Sequence, residues 1–153
     1  MTENRKIRLS GDKSISHRAL MISSISKGVS RIANLCNGKD VQSTINCLRL
    51  CGASIEQHGN SCVMNSDSLS NPSRALNCGN SGITIRLLTG LLAGQGIDAV
   101  LYGDKSLMSR PMDRIIEPLK KMGANLELKD SQIILKKSPI KGLSIENITS
   151  SAQ

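Results

Sequence analysis

The sequence predicts an α/β fold built from a repeated βαβαββ module. Three observations carry that reading. Apolar residues at helical spacing alternate with short β-branched runs, so helices and strands take turns along the chain. Helical runs end at glycines, and each second helix is followed by two strand-like runs around a tight turn. Finally, Gly11 to Gly28 aligns without a gap with Gly79 to Gly96, 68 residues later (79 − 11), pairing Ile15 with Ile83, Ser16 with Thr84, Arg18 with Arg86 and Leu20 with Leu88.

The elements follow in order. Arg5 to Leu9 alternates basic and apolar residues as a short strand does. After the Gly11 turn, Ile15, Ala19, Leu20, Ile22 and Ile25 fit a helix ending near Lys27-Gly28. Val29 to Leu35 reads as a strand, and Asp40 is the expected N-cap of a helix that places Val41, Ile45, Leu48 and Cys51 on one face. Gly52 stops it. Ala53 to Gln57 and Cys62 to Asn65 then form a hairpin around Gly59-Asn60.

After a Ser-rich loop the pattern restarts. Arg74 to Cys78 is a strand, Gly79 to Gly82 a turn, and Ile83 to Leu92 a helix apolar on most faces, hence buried on most sides. Ile97 to Tyr102 is a strand and Gly103 to Arg110 a polar loop. Pro111 is expected at the first position of the next helix, which Pro118 should bend and Gly123 should end. A hairpin follows, Asn125 to Leu128 and Gln132 to Leu135. Here a three-residue slip aligns Leu48-Arg49-Leu50-Cys51-Gly52-Ala53 with Leu119-Lys120-Lys121-Met122-Gly123-Ala124, and Glu56 with Glu127. A period of about 70 residues exceeds that of common solenoids, which favours two modules over stacked repeats.

Module one spans about 11–66 and module two about 74–137. Leu143 to Ile148 is a third strand start, and Thr149 to Gln153 looks like another opening turn, so 143–153 reads as the start of a third module. The expectation is a piece of a longer protein, an incomplete first domain.

Composition narrows the function. The chain has no Phe, no Trp and one Tyr, Tyr102, so its core must come from Ile, Leu, Val, Met and Ala. Without aromatics it lacks the stacking platforms of single-strand nucleic-acid binders. Its net charge of +8 suits anionic partners, but the basic residues are scattered, with runs no longer than Arg5-Lys6, Lys120-Lys121 and Lys136-Lys137. Small phosphorylated metabolites fit better than nucleic acid. Five cysteines, an odd number with no CxxC, and no signal peptide point to reduced thiols in a cytoplasm. Cys47 and Cys51 share a helical face; with only His17 and His58 as histidines, core packing is favoured over a metal site. No apolar stretch reaches transmembrane length, so no membrane is expected.

The chemistry concentrates at Gly11-Asp12-Lys13-Ser14-Ile15-Ser16-His17-Arg18. A turn, a Lys, hydroxyls and an Arg at a helix start make an anion site, because helix N-terminal N–H groups carry partial positive charge. The plainer reading is a capped turn before a helix.

That stretch, with Gly79-Asn80-Ser81-Gly82…Arg86-Leu87-Leu88, Gly103-Asp104…Arg110-Pro111-Met112 and Ser151-Ala152-Gln153, resembles the 5-enolpyruvylshikimate-3-phosphate synthase family over nearly the whole chain. The resemblance implies transfer of the enolpyruvyl group of phosphoenolpyruvate to the 5-hydroxyl of shikimate 3-phosphate, with release of phosphate. It implies an inside-out α/β barrel of two domains, three modules each, with the site in the cleft between them, and no cofactor or metal.

By the same resemblance, Lys13 touches both substrates and is the catalytic candidate. Ser14, Arg18, Ser151, Ala152 and Gln153 bind shikimate 3-phosphate; Asn80, Gly82, Arg110 and Gln153 bind phosphoenolpyruvate. Asp40 occupies an acidic position near the site, or is simply a cap. Arg86 either mirrors Arg18 or supports module two, and His17 is a helix-start residue, not a base. Ile83 stands where many members carry Thr or Ala, so glyphosate sensitivity is not implied. The family's second domain supplies the general-base carboxylate and further Arg and Lys ligands. This chain is therefore expected to need that domain, in cis or trans, and to be inactive alone. The alternatives are a UDP-N-acetylglucosamine enolpyruvyl transferase-like fragment and a basic anion-binding module without catalysis.

Overall fold

The structure, a computed structural model, describes residues 9–144. The elements run α1 (Lys13–Ser24), β1 (Gly28–Ile32), α2 (Lys39–Leu50), β2 (Ser54–His58), β3 (Ser61–Ser66), β4 (Leu76–Asn77), α3 (Gly82–Gly94), β5 (Ala99–Tyr102), α4 (Lys105–Met108), α5 (Asp113–Lys121), β6 (Asn125–Lys129) and β7 (Gln132–Lys136).

Helix starts are set by local side chains. The Asp12 carboxylate accepts the N–H of Ile15 at 2.7 Å, the Ser81 hydroxyl that of Thr84 at 3.1 Å, and the Asp104 carboxylate that of Leu107 at 2.7 Å. At the far end of α2, Gly52 takes φ +94°, a conformation costly to any residue with a Cβ, and the chain reverses into β2.

The strands form two sheets, β1-β3-β2 and β4-β5-β7-β6. The orders β1-β3-β2 and β5-β7-β6 correspond, and so do the registers. Met64 of β3 lies between Ser30 and Ile55, as Leu135 of β7 lies between Ala99 and Leu126. All these pairings are antiparallel, whereas β4 adds to β5 in parallel.

The helices hold the middle. α1, α2 and α3 touch one another pairwise, while α1 and α2 lean on the first sheet and α3 and α5 on the second. One apolar core runs through both halves, with Leu20, Leu48, Met64, Leu88, Leu101 and Ile133 closed off from solvent. α3 is covered on nearly every side; of its residues only Gly94 is fully exposed. By contrast, Ile15 and Ile22 on the outer face of α1 are 69% and 62% exposed.

Several boundaries differ from the sequence reading. β1 stops at Ile32, because Asn34 turns to φ +56° and the Leu35 N–H donates to the Asn60 carbonyl. Asp40 is not the N-cap of α2. Gly38 holds that place, and the Asp40 carboxylate turns instead to Lys13. The polar loop after β5 contains a short helix, α4, because Asp104 caps it. Pro111 precedes α5 rather than opening it; Met112 is the N-cap, and Pro118 lies inside the helix as expected. β4 and β5 are shorter than expected, covering Leu76–Asn77 and Ala99–Tyr102. The strand expected at Arg5 to Leu9 lies outside the described residues except for Leu9, which is not in a strand. Of the strand expected at Leu143 to Ile148 only Leu143 and Ser144 are described, and both are irregular. Thr149 to Gln153 lies outside the described residues.

Candidate functional site

Two groups of polar side chains gather at the N-terminal ends of α1, α2 and α3. In the first, Lys13 opens α1 and donates from Nζ to Asp40 Oδ2 at 3.2 Å. Both partners stay partly exposed, which keeps the ammonium within reach of solvent or a bound anion. Ser14 follows Lys13, and Arg18 lies one turn on, its Nη1 donating to the Ser14 carbonyl at 3.3 Å. Lys13, Ser14 and Arg18 thus share one end of α1.

The second group surrounds the start of α3. Asn80 lies in the turn after β4. Its amide donates from Nδ2 to Asp104 Oδ2 at 2.8 Å, and its Oδ1 accepts from Arg110 Nη2. Asp104 is tied to the same turn, its N–H donating to the Gly79 carbonyl at 2.9 Å. Gly82, the first residue of α3, faces two guanidinium groups. A Cβ placed there would stand 3.4 Å from Arg110 Nη1 and 3.5 Å from Arg86 Nη1. Arg86 Nη2 donates to the Pro111 carbonyl at 3.0 Å, fixing the backbone next to Arg110. Burial lowers the pKa of Arg86 from its ordinary value, and the like charges of Arg114 and Arg110 lower it further. An arrangement of two close guanidiniums at a helix N-terminus is suited to an anion.

Between the groups runs a buried polar chain. His17 Nδ1 lies 2.7 Å from Thr44 Oγ1, which lies 2.8 Å from Thr84 Oγ1. Thr84 Oγ1 is in turn 2.7 Å from Ser81 Oγ and 3.2 Å from the Asp40 carbonyl oxygen. Burial lowers the pKa of His17; Asp40 opposes that shift, and Lys13 and Arg18 add to it.

The structure therefore collects Lys13, Ser14 and Arg18 at one corner and Asn80, Gly82 and Arg110 at another, with Asp40 between α1 and α3. His17, expected as a helix-start residue, lies in the second turn of α1 and is fully buried. Ser151, Ala152 and Gln153 lie outside the described residues. The sequence reading assigned no role to Asp104, which orders Asn80, or to Thr44 and Thr84. The signal for Thr44 was its place one turn after Asp40, on the apolar face of α2.

A separate concavity lies away from both groups. Its volume is about 710 Å³ and it opens between α2 and β4, lined by Asn46, Cys47, Arg49, Arg74, Asn77 and Tyr102. Only Gly79 connects its wall to the turn that carries Asn80.

Residues 3–153 match the family model for EPSP synthase (3-phosphoshikimate 1-carboxyvinyltransferase). Similar curated proteins include the 3-phosphoshikimate 1-carboxyvinyltransferase of Alkaliphilus metalliredigens, 45% identical over 155 residues, and that of Staphylococcus epidermidis, 44% identical over 154 residues. Each alignment covers 97% of this chain and 36% of the relative, so the chain spans about a third of the length of these proteins. Among solved structures, EPSP synthase from Acinetobacter baumannii superposes with a TM-score of 0.90 at 35% identity, covering 97% of this chain and 36% of that one. With a family model matched over residues 3–153 and a solved member superposing at a TM-score of 0.90, this chain belongs to the EPSP synthase family.

Proposed function

We propose that this chain forms one wall of an enolpyruvyl transfer site, binding shikimate 3-phosphate at Lys13, Ser14 and Arg18 and phosphoenolpyruvate at Asn80, Gly82 and Arg110. The observation that carries this is the pair of guanidiniums facing Gly82 at the start of α3, a helix that packs against α1, which Lys13 opens. Both substrates are polyanions, and helix N-termini with fixed cations are suited to both.

The reaction joins the 5-hydroxyl oxygen, which gives up its proton, to C2 of phosphoenolpyruvate while the methylene carbon gains a proton; the methyl group so formed then loses a proton as the bond from C2 to the phosphate oxygen breaks, leaving the enol ether and free phosphate. Lys13, at the shikimate corner, offsets the charge that develops on the phosphate side of the transition state. Asn80 holds Arg110 in place through its carbonyl oxygen, so the guanidinium meets the anion already oriented. In this reading the chain comprises modules at about 11–66 and 74–137 with the start of a third, and works in a cytoplasm with a second domain. Ser151, Ala152 and Gln153 complete the shikimate side, and the general base comes from that domain.

Calorimetric titration tests the reading. The 153-residue chain is expected to bind shikimate 3-phosphate, and Lys13→Met to weaken that binding by about tenfold or more. No measurable heat with the unmodified chain at millimolar ligand removes the substrate assignment. In a phosphate-release assay the chain alone is expected to be silent, and turnover near that of an intact synthase would refute the need for a second domain.

A further inference from the structure

His17, Thr44 and Thr84 are wholly buried, yet each carries a polar group. Each stands four residues beyond a member of the polar groups. His17 follows Lys13 by one turn, Thr44 follows Asp40 by one turn, and Thr84 follows Asn80 by the same four residues. The buried chain they form therefore runs directly beneath the residues assigned to the site.

Counting protons fixes its sense. Thr84 has one proton, and it goes outward, to Ser81 Oγ and the Asp40 carbonyl oxygen. Its contact with Thr44 therefore takes the Thr44 proton. The contact between His17 and Thr44 is then left without a hydroxyl proton, so its proton comes from Nδ1 of His17. His17 thus donates to Thr44, Thr44 to Thr84, and Thr84 to Ser81 and the Asp40 carbonyl.

With the proton on Nε2 instead, one contact would hold two facing lone pairs. The Nε2–H would also be a buried donor without an acceptor, since Nε2 has no hydrogen-bond partner among the described residues. A buried donor left unmade is costly, whereas the lone pair left on Nε2 in the first arrangement costs less.

We infer that His17 is a positioning residue: as the Nδ1–H tautomer it drives a one-way relay through Thr44 and Thr84 to the backbone of Asp40, bracing the first turns of α1, α2 and α3. The brace fixes where Asp40 meets Lys13 and where Ser81 caps α3. A second proton on the ring would be buried beside Lys13 and Arg18, with Asp40 as the acidic group that bears on it. The inference rests on the proposed substrate sites only for its effect on binding.

Nitrogen NMR of the full chain tests it. Near neutral pH the His17 ring is expected to show a protonated Nδ1 and a bare Nε2; the reverse tautomer overturns the relay. Two variants test the positioning. His17→Asn places an amide donor where Nδ1 stood and is expected to keep shikimate 3-phosphate affinity within about twofold. His17→Gln places its donor near Nε2 and is expected to weaken binding about tenfold, with helix content unchanged. Equal affinities for the two variants overturn the brace. If either variant fails to fold, Thr84→Val, which removes the central hydroxyl at constant shape, is expected to shift the Val41 and Ile83 amide resonances together, and a shift confined to α3 refutes the relay. If the unmodified chain binds no shikimate 3-phosphate, the substrate assignment fails. The tautomer and the amide shifts then decide the brace on their own.

Discussion

Lys13 Nζ and Asp40 Oδ2 meet at 3.2 Å, joining the starts of α1 and α2 across 27 positions of sequence. The pair is half in solvent, so its contribution to stability is small, but it sets the charge that an incoming anion meets. Asp40→Asn is expected to leave the urea midpoint almost unchanged, within about 1 kcal/mol, and to tighten shikimate 3-phosphate binding by removing a competing anion from Lys13. Calorimetry on the two chains checks this. Weaker binding in Asp40→Asn would mean that the carboxylate serves to orient Lys13.

Gly82→Ala separates folding from ligand binding. The new methyl would sit at ordinary van der Waals distance, 3.4 Å from Arg110 Nη1 and 3.5 Å from Arg86 Nη1, so nothing need move. It would fill the space between the guanidiniums. Melting temperature is expected to hold or rise slightly, while phosphoenolpyruvate affinity falls by about tenfold.

The opening turn has a different tolerance. A Cβ on Gly11 would overlap the Asn34 carbonyl oxygen and press on Asn34 C and Cys36 N, all backbone atoms that cannot yield. Gly11→Ala is expected to cost about 4 kcal/mol or more in urea unfolding. Gly94→Ala is the matched control, since a Cβ there meets nothing within 4 Å, and it is expected to stabilise α3 by up to about 1 kcal/mol.

His17 gives stability a dependence on pH. Its folded pKa lies below the unfolded value of 6.5, because burial disfavours the imidazolium. The unfolded chain therefore binds the proton more readily, and stability falls as pH drops below about 6.5 towards the folded pKa. Above that value the contribution is complete. Urea midpoints followed from about pH 7.5 to 5 should show this slope, and His17→Asn should lack it.

The thiols should react in order of exposure. Cys36 is half-buried, whereas Cys47, Cys51, Cys62 and Cys78 are buried. Burial, with Cys47 close by, pushes the Cys51 thiol up to about 12, and Cys78 is raised by its hydrogen bond to Cys47 and by burial. Alkylation of the native chain followed by mass mapping should label Cys36 first and Cys51 and Cys78 last.

Much of this was legible in the sequence, for physical reasons. Apolar spacing announces α1, α2 and α3 because burial on one face demands it, and the two hairpins show because Gly59-Asn60 and Asp130-Ser131 are chemically committed to tight turns. The anion corners show because Lys13, Ser14 and Arg18 are adjacent in sequence. What the sequence hid are relations between distant residues. Asp40 reads as a cap until Lys13 is seen opposite it, and Pro111 reads as a helix opener until Met112 takes the cap. His17, Thr44 and Thr84 look like unrelated polar residues in apolar helices, because their common purpose exists only where three helices meet.

The strand order of the two sheets bears on how the chain comes to be folded. In β1-β3-β2 and in β5-β7-β6 the strand made last stands in the centre. β1 and β2 have no bonds to each other, so the first sheet has no paired strands before β3. It waits until Ser66 has been synthesised and β3 can enter between two strands already present. In the second sheet β4 and β5 pair directly, and β6 joins them only once β7 is complete at Lys136. Each half therefore completes its sheet late on the ribosome: a chain halted short of Ser61 carries two orphan strands, and one halted short of Gln132 carries the short β4–β5 pair with β6 orphaned.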